Sequence, residues 1–352
     1  MIMKDHKAEK AILGIIRRYA AAGYFPSASV RIFDARETLA CVTYGDARPD
    51  SVFDVASLTK IATATQILRL MDEGRVRLSD EIGIYFPELQ RDAYLSRRLR
   101  GITVEMLLTH TSTLVDWYPF YIRAHCGEDF WATLSYALEH TEATRGVVYS
   151  DLNFMILGKL LETLYDRPME TVLQENLVEP LKLGVMLYRP SPELDIIPSD
   201  FGNAIEMEMC EARHLTFDGF RPLGVPVVGT VHDGNTHYYF HDVSGLAGIF
   251  ADTAAYMRLC QVYMNTDSPY LLRAQEEQTI SPGRGLGLQT GLIYPDGCGH
   301  TGFTGTSIYF SRTHRIGVAA FTNRLYYADG HHRDLSDFRR ALHETVLALY
   351  GA

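Results

Sequence analysis

The 352-residue chain is poor in paired cysteines: Cys41, Cys126, Cys210, Cys260 and Cys298 are odd in number, far apart, and form no C-x-x-C step. That argues against a disulfide framework and against a cysteine zinc site, and free thiols fit a reducing compartment. No apolar run reaches the ~18 residues needed to span a bilayer. Positive charge is also short, since 33 Lys+Arg face 43 Asp+Glu for a net charge of −10. Such a balance repels phosphate backbones and excludes nucleic acid as an expected partner. There is no repeat and no low-complexity tract. The first residues have neither an apolar h-region nor a small-residue cleavage site, so the expectation is a cytoplasmic protein with no leader and no membrane contact.

What is present is the composition of a globular enzyme, 47% hydrophobic and 22% charged, in a chain long enough for two lobes. Asp5 is placed to cap a helix in which Ile12, Ile15, Ile16 and Tyr19 recur at helical spacing, with Gly23 as its stop. Residues 29–33 alternate and 39–44 form a second β-rich run, with a hairpin loop between them. Helical patterns cover 57–71, 104–108, 129–138, 152–164 and 251–263. Residues 190–244 are irregular and rich in Gly, Pro, Asp and His, a length of loop that is usually functional or covers a site. Strands with tight turns are predicted at 286–293, 307–310 and 316–321, and a last helix at 335–349. Strands at both ends with helices between predict an α+β fold. Its antiparallel sheet draws on both ends of the chain, is flanked by terminal helices, and carries an inserted helical lobe.

Three segments could carry chemistry. Ser57-Leu58-Thr59-Lys60 opens the first long helical pattern, so a hydroxyl and an amine share one face. They sit where free N–H groups and the helix dipole favour negative charge, and an amine beside a hydroxyl can help make a nucleophile. Tyr149-Ser150-Asp151 precedes another helix. Asp151 reads as an N-cap and Tyr149 as a packed ring, or Tyr149 reads as a proton acceptor favoured by a nearby ammonium such as Lys60. His300-Thr301-Gly302-Phe303 reads as a glycine-rich turn or as an edge strand lining a cleft. In the second case Gly302 lets substrate approach the backbone, and the N–H groups of Phe303 and Ser57 hold an oxyanion. His232, His237 and His241, with Asp233, match no metal-ligand spacing and read as loop residues near a cleft. The aromatic run 117–121 lines an acyl pocket or packs the helical lobe.

The joint order of Ser57-x-x-Lys60, Tyr149-x-Asp151 and His300-Thr301-Gly302 resembles the serine β-lactamase and penicillin-binding-protein superfamily, closest to class C β-lactamase-like esterases and D-aminopeptidases. Leu107-Leu108-Thr109-His110-Thr111-Ser112, Leu78-Ser79-Asp80, Glu179-Pro180-Leu181 and Phe321-Thr322-Asn323-Arg324 are similar to stretches common in that group, and the resemblance covers roughly residues 25–348.

The resemblance implies a β-lactamase/transpeptidase-like fold with a five-stranded antiparallel sheet. One domain would come from 1–56 and 283–352, a mainly helical one from 57–282, and the active site would lie between them. It implies a serine hydrolase that forms an acyl-enzyme on Ser57 and cleaves a small-molecule ester or amide, as an esterase, amidase or D-peptidase. Lys60 would shuttle a proton or tune charge, Tyr149 would be the general base, and the Ser57 and Phe303 N–H groups the oxyanion hole. Asp151, His300, Thr301 and Gly302 would contact substrate, with no metal and no cofactor. Two alternatives share these residues, an acyltransferase using the same acyl-enzyme and a penicillin-binding sensor that does not turn over.

Three positions depart from the group: Asp151 where asparagine is usual, His300 where lysine is usual, and Thr113 where glycine is usual. An ionised aspartate only accepts hydrogen bonds, and a histidine is mostly neutral at pH 7. Both changes lead to the expectation of less acidic substrates than a β-lactam.

Overall fold

Alternation along a few strands near the two ends of the chain sets the architecture. The computed structural model describes residues 6–291 and 293–351. Asp5, the expected cap, and Leu292, inside an expected strand, lie outside them. Helix α1 (His6–Ala21) leads into strands β1 (Ala28–Asp34) and β2 (Thr38–Tyr44). Helices α2 (Thr59–Asp72), α3 (Asp151–Tyr165) and α4 (Thr253–Asn265) follow. Strands β3 (Cys298–Thr301), β4 (Ser307–Ser311) and β5 (Ile316–Thr322) come next, and helix α5 (Ser336–Tyr350) is last. The five strands form one sheet in the order β2-β1-β5-β4-β3, every pair antiparallel.

On β5, Ile316, Val318 and Ala320 share a core with Ile12 and Ile16 of α1 and with Leu342 and Val346 of α5. The alternate residues Ala319 and Phe321 join the core on the other face, with Leu259 of α4. Val30 and Ile32 of β1 go to the first core and Phe33 to the second. All of β5 is therefore buried, as a central strand covered on both faces must be.

The helices expected at 104–108, 129–138 and 152–164 are present as Val104–Leu108, Phe130–Glu139 and α3. Helix α2 is enclosed all round, with every residue from Thr59 to Leu68 buried, which marks a central helix rather than a surface one. Ser57 lies one step ahead of it, in the 3-10 turn Ala56–Leu58.

The expected strand at 286–293 is a correction. Gly287 and Gly291 take φ values of +76° and +107°, which break the period-2 pattern. Only isolated bridges, Arg284 to Gln289 and Gln289 to Gly299, hang this segment beside the sheet. The edge strand is β3.

Thr113 sits at φ +67°. A β-branched residue is disfavoured in this left-handed region and glycine is at ease there. The fold thus explains what the substitution of a usual glycine means. Thr113→Gly is expected to raise stability by about 0.5–1 kcal/mol, the left-handed strain relieved less glycine's larger folding entropy. Urea denaturation measures it, and a lowered midpoint would contradict the strain.

Candidate active site

Lys60 is wholly buried. Its Nζ donates to Ser57 Oγ at 3.1 Å and to the Leu246 carbonyl at 3.1 Å, and it pairs with Asp151 Oδ1 at 2.9 Å. Two acceptors and a paired carboxylate surround the ammonium. Burial drives Lys60 toward neutrality, but the Asp151 carboxylate and the Tyr149 oxygen outweigh it and hold its pKa well above the ordinary lysine value. Lys60 is thus a charged donor to Ser57. The Tyr149 ring lies 5.1 Å from Nζ, and the buried Tyr149 hydroxyl has no hydrogen-bond partner among the described residues.

The chain holds Tyr149 and Asp151 in place through the stretch that carries His110. The His110 carbonyl accepts from Val148 N–H at 3.0 Å, and His110 Nδ1 accepts from Ser150 N–H at 3.0 Å. The His110 ring packs 4.5 Å from that of Tyr149. Ser150 Oγ donates to the Val115 carbonyl at 2.6 Å, and Asp151 N–H to the Asp116 carbonyl at 2.8 Å. Burial and the charges of Arg284 and Lys60 keep His110 well below the ordinary histidine range. It is therefore neutral, and its Nδ1 lone pair is free to accept.

The other side of the site is a seam. Thr304 Oγ1 donates to the Asp54 carbonyl at 2.7 Å and Thr306 Oγ1 to the Val55 carbonyl at 3.0 Å. Both ties pull the turn after β3 against the residues just before Ser57. The buried Asp54 side chain accepts from Ala56 N–H at 2.8 Å and His232 N–H at 2.7 Å. Ala56 itself is at φ +46°. A Cβ on Gly302 would come within 2.1 Å of Thr306 Oγ1 and 2.6 Å of the Val55 carbonyl oxygen. This seam by itself requires glycine at 302, which also lines the second cavity beside Ser57. Phe303 N–H makes no hydrogen bond among the described residues and stands beside Ser57, since both residues line the same two cavities.

The first cavity, about 120 Å³, is lined by Ser57, Tyr149, Asp151, Trp117, Glu206 and Asp233 among others. The long irregular segment supplies its far wall through Glu206 of the helix Ala204–Glu211 and through His232 and Asp233. Burial, with Asp233 alongside, pushes Glu206 above the ordinary carboxylate range, and burial with Asp151 alongside pushes Asp233 the same way. His232 pairs with Asp200 at 2.7 Å, and His237 pairs separately with Asp242 at 2.6 Å. Of the aromatic run, Trp117 lines the cavity, whereas Tyr121 packs with Phe217, Phe220 and Tyr238.

The second cavity, about 340 Å³, runs from Ser57, Tyr149 and Phe303 past Thr301 and Gly302 to Arg284 and Arg339. Sequence reasoning placed His300 here. Its side chain is instead 1% exposed, outside the lining of either cavity, with Nδ1 on the Thr301 carbonyl at 2.9 Å. Strand alternation sends residue 300 inward and leaves Thr301 at the cleft. Burial, with Arg284 and Lys60 near, keeps His300 well below the ordinary histidine range. Asp233, read as a loop residue near a cleft, lines the first cavity; the residues missed from sequence are Glu206, Arg284 and Arg339. None belongs to a local motif, and only long-range packing brings them here.

A family model described as Beta-lactamase matches residues 13–341. The chain is similar to an N-acetylmuramyl-L-alanine amidase of Bacillus subtilis (strain 168), 27% identical over 304 residues that cover 78% of this chain and 68% of the relative. Its fold is similar to that of the D-amino acid amidase from Ochrobactrum anthropi SV3, with a TM-score of 0.73 at 16% identity, covering 97% of this chain and 99% of the other. It is also similar to a penicillin-binding protein homologue from Pyrococcus abyssi, with a TM-score of 0.69 at 18% identity, covering 99% and 78%.

The raised Glu206 binds its proton more tightly folded than unfolded. Stability is then greatest below the ordinary carboxylate pKa and falls as pH rises from there toward neutrality. Glu206→Gln, which keeps the shape and removes the titration, is expected to flatten that fall between about pH 5 and about pH 7. Urea melts at both ends of the interval check it, and an unchanged slope would contradict the burial argument.

Proposed function

The chain belongs to the beta-lactamase family and is a serine hydrolase, and we propose that Ser57 is its nucleophile in hydrolysis of a small-molecule ester or amide. Ser57 Oγ attacks the carbonyl carbon while the Tyr149 oxygen, as general base, takes the Ser57 proton. Negative charge moves onto the carbonyl oxygen, which faces the N–H groups of Ser57 and Phe303. Tyr149 then gives its proton to the leaving alcohol or amine as the carbon–heteroatom bond breaks. Water attacks the acyl ester, Tyr149 takes the water's proton, and Ser57 leaves with a proton returned by Tyr149. The positive charges of Lys60 and Arg284 both attract charge on the Tyr149 oxygen.

One observation carries this reading: the Lys60 ammonium is ion-paired with Asp151 and donates a hydrogen bond to Ser57. A charged lysine donating to Ser57 cannot also accept its proton. That duty falls to Tyr149, which lines both cavities with Ser57 and whose buried hydroxyl makes no hydrogen bond among the described residues.

The same proposal puts Ser57 at the junction of a sheet domain from 1–56 and 283–352 and a mainly helical domain from 57–282. What supports the division is that all five strands of the large sheet lie in the first and helices α2 and α3 in the second. Among the described residues no helix is long and apolar enough to cross a membrane. A cytoplasmic location is part of the proposal, supported by five unpaired cysteines.

Ser57→Ala is expected to abolish hydrolysis of p-nitrophenyl esters with the fold intact by circular dichroism. Tyr149→Phe is expected to lower kcat by at least about 100-fold, the scale for losing a general base. Wild-type turnover in the first variant would refute Ser57, and a loss under about tenfold in the second would move the base elsewhere.

A further inference from the structure

His232, which the sequence places on a loop near a cleft, has no part in the proton transfers of Ser57 and Tyr149. Its side chain is 3% exposed, and it lines the 120 Å³ cavity with Ser57. Two bonds fix it there. Its backbone N–H donates to one Asp54 carboxylate oxygen at 2.7 Å, while the other accepts at 2.8 Å from the N–H of Ala56, the residue before Ser57. Its Nε2 meets Asp200 Oδ2 at 2.7 Å, and its ring centroid lies 5.7 Å from that of Phe303. Asp200 is itself anchored, since Oδ1 accepts from Phe201 N–H at 2.6 Å and its main chain bridges to Val227. A carboxylate fixed on one ring nitrogen decides what the other can do. That other nitrogen, Nδ1, makes no hydrogen bond among the described residues and is not fully enclosed, and the cavity is the space the ring lines.

The carboxyls of this cavity are already bonded within the protein. Asp151 pairs with Lys60 at 2.9 Å. Glu206 accepts from Gly234 N–H at 2.6 Å and from the Tyr121 hydroxyl at 3.2 Å, and Asp233 accepts from Thr236 N–H at 2.7 Å. Such a lining disfavours a second anion. The charged groups around the His232 ring are Asp200, Asp54, Glu206 and Asp233, with Arg221 on the neighbouring Val231 carbonyl and Arg324 over the Phe303 ring. Burial opposes charge on His232, but the hydrogen bond and charge of Asp200, with Glu206 and Asp54 beyond, outweigh it and raise its pKa above the ordinary histidine value. In the charged ring both nitrogens carry protons, so Nε2–H stays on Asp200 and Nδ1–H is a charge-assisted donor to the cavity. The acyl half of a substrate stays bonded to Ser57 and suits this small space, whereas the leaving half must depart and suits the 340 Å³ cavity.

We propose that His232, held by Asp200, is a specificity-determining residue whose Nδ1–H donates a hydrogen bond to an uncharged oxygen on the acyl half of the substrate. The substrate class is thus an ester or amide whose acyl group carries an ether, hydroxyl or carbonyl oxygen close to the scissile carbonyl, as a space of about 120 Å³ requires. Which half enters the cavity rests on the proposed role of Ser57; the donor does not.

The test compares p-nitrophenyl methoxyacetate with the butanoate, and the 3-methoxypropanoate with the pentanoate, each pair exchanging an oxygen for a methylene. Each kcat/KM is divided by the rate constant of the same ester with hydroxide, which removes the inductive effect of the oxygen. At about pH 6, wild type is expected to favour the oxygen-bearing ester of at least one pair by at least about tenfold, the scale of a charge-assisted hydrogen bond. The titration of Tyr149 cancels in this ratio. The ratio is expected to fall as pH rises through the titration of His232, because the neutral ring turns a lone pair to the substrate. His232→Phe should bring the ratio toward one. Asp200→Asn should do the same with the ring still present, since burial then keeps it neutral. A ratio near one in both pairs, a ratio that does not fall with pH, or one unmoved in both variants would overturn the proposal. Nitrogen-15 NMR of the histidines in Ser57→Ala, with His232 assigned by His232→Phe, is independent of turnover. At about pH 6, methoxyacetamide or 3-methoxypropanamide should shift the His232 Nδ1 resonance and butanamide should not, and equal shifts would overturn the proposal. A selective shift, with no ester turnover by wild type, would refute the Ser57 reading and uphold the donor.

Discussion

A fully buried ammonium organises this molecule. Removing one partner from a buried ion pair commonly costs about 3–5 kcal/mol, because the other charge is left without compensation. Lys60 therefore ties helix α2 to the start of α3 through Asp151, and to the segment before α4 through the Leu246 carbonyl. Ser57 accepts a hydrogen bond from the same ammonium. The charge that stabilises the packing of three chain segments is the same charge that faces the reactive hydroxyl.

A second constraint joins the sheet to this centre. Asp54 bonds the turn before Ser57 with one carboxylate oxygen and His232 with the other. Thr304 and Thr306 bond the carbonyls of residues 54 and 55. The position of Phe303 relative to Ser57 is thus fixed by three short side chains and by a glycine that leaves room for them. Residues 302–306 are thereby tied to the segment that leads into Ser57.

Legibility in the sequence followed the range of the interactions involved. Ser57 and Lys60 lie three positions apart at the start of a helix, and Tyr149 stands just ahead of the helix that Asp151 opens, so the order of these motifs along the chain brought them forward. The alternation in β1 was equally plain, whereas β5 read as an apolar run because it feeds two cores. Residues 286–293 misled because their apolar residues alternate while their glycines take left-handed φ, a property of the backbone that the alternation hides. His300 misled because its place in the motif was visible and its side of the strand was not. Arg284, Arg339 and Glu206 carry no local signal. They converge on the cleft from a two-residue hairpin strand, the last helix, and a long irregular segment that lines the cavity beside Ser57.

The central claim is that Lys60 stays charged beside Ser57, so that the proton of the nucleophile must go elsewhere. Carbon-13 labelling of the lysine side chains, with the Lys60 ε-carbon assigned by Lys60→Arg, allows its charge to be followed by NMR against pH. The account predicts a constant ammonium shift from about pH 6 to about pH 10. A titration of that resonance near neutral pH would show a neutral amine able to take the Ser57 proton, and would contradict it.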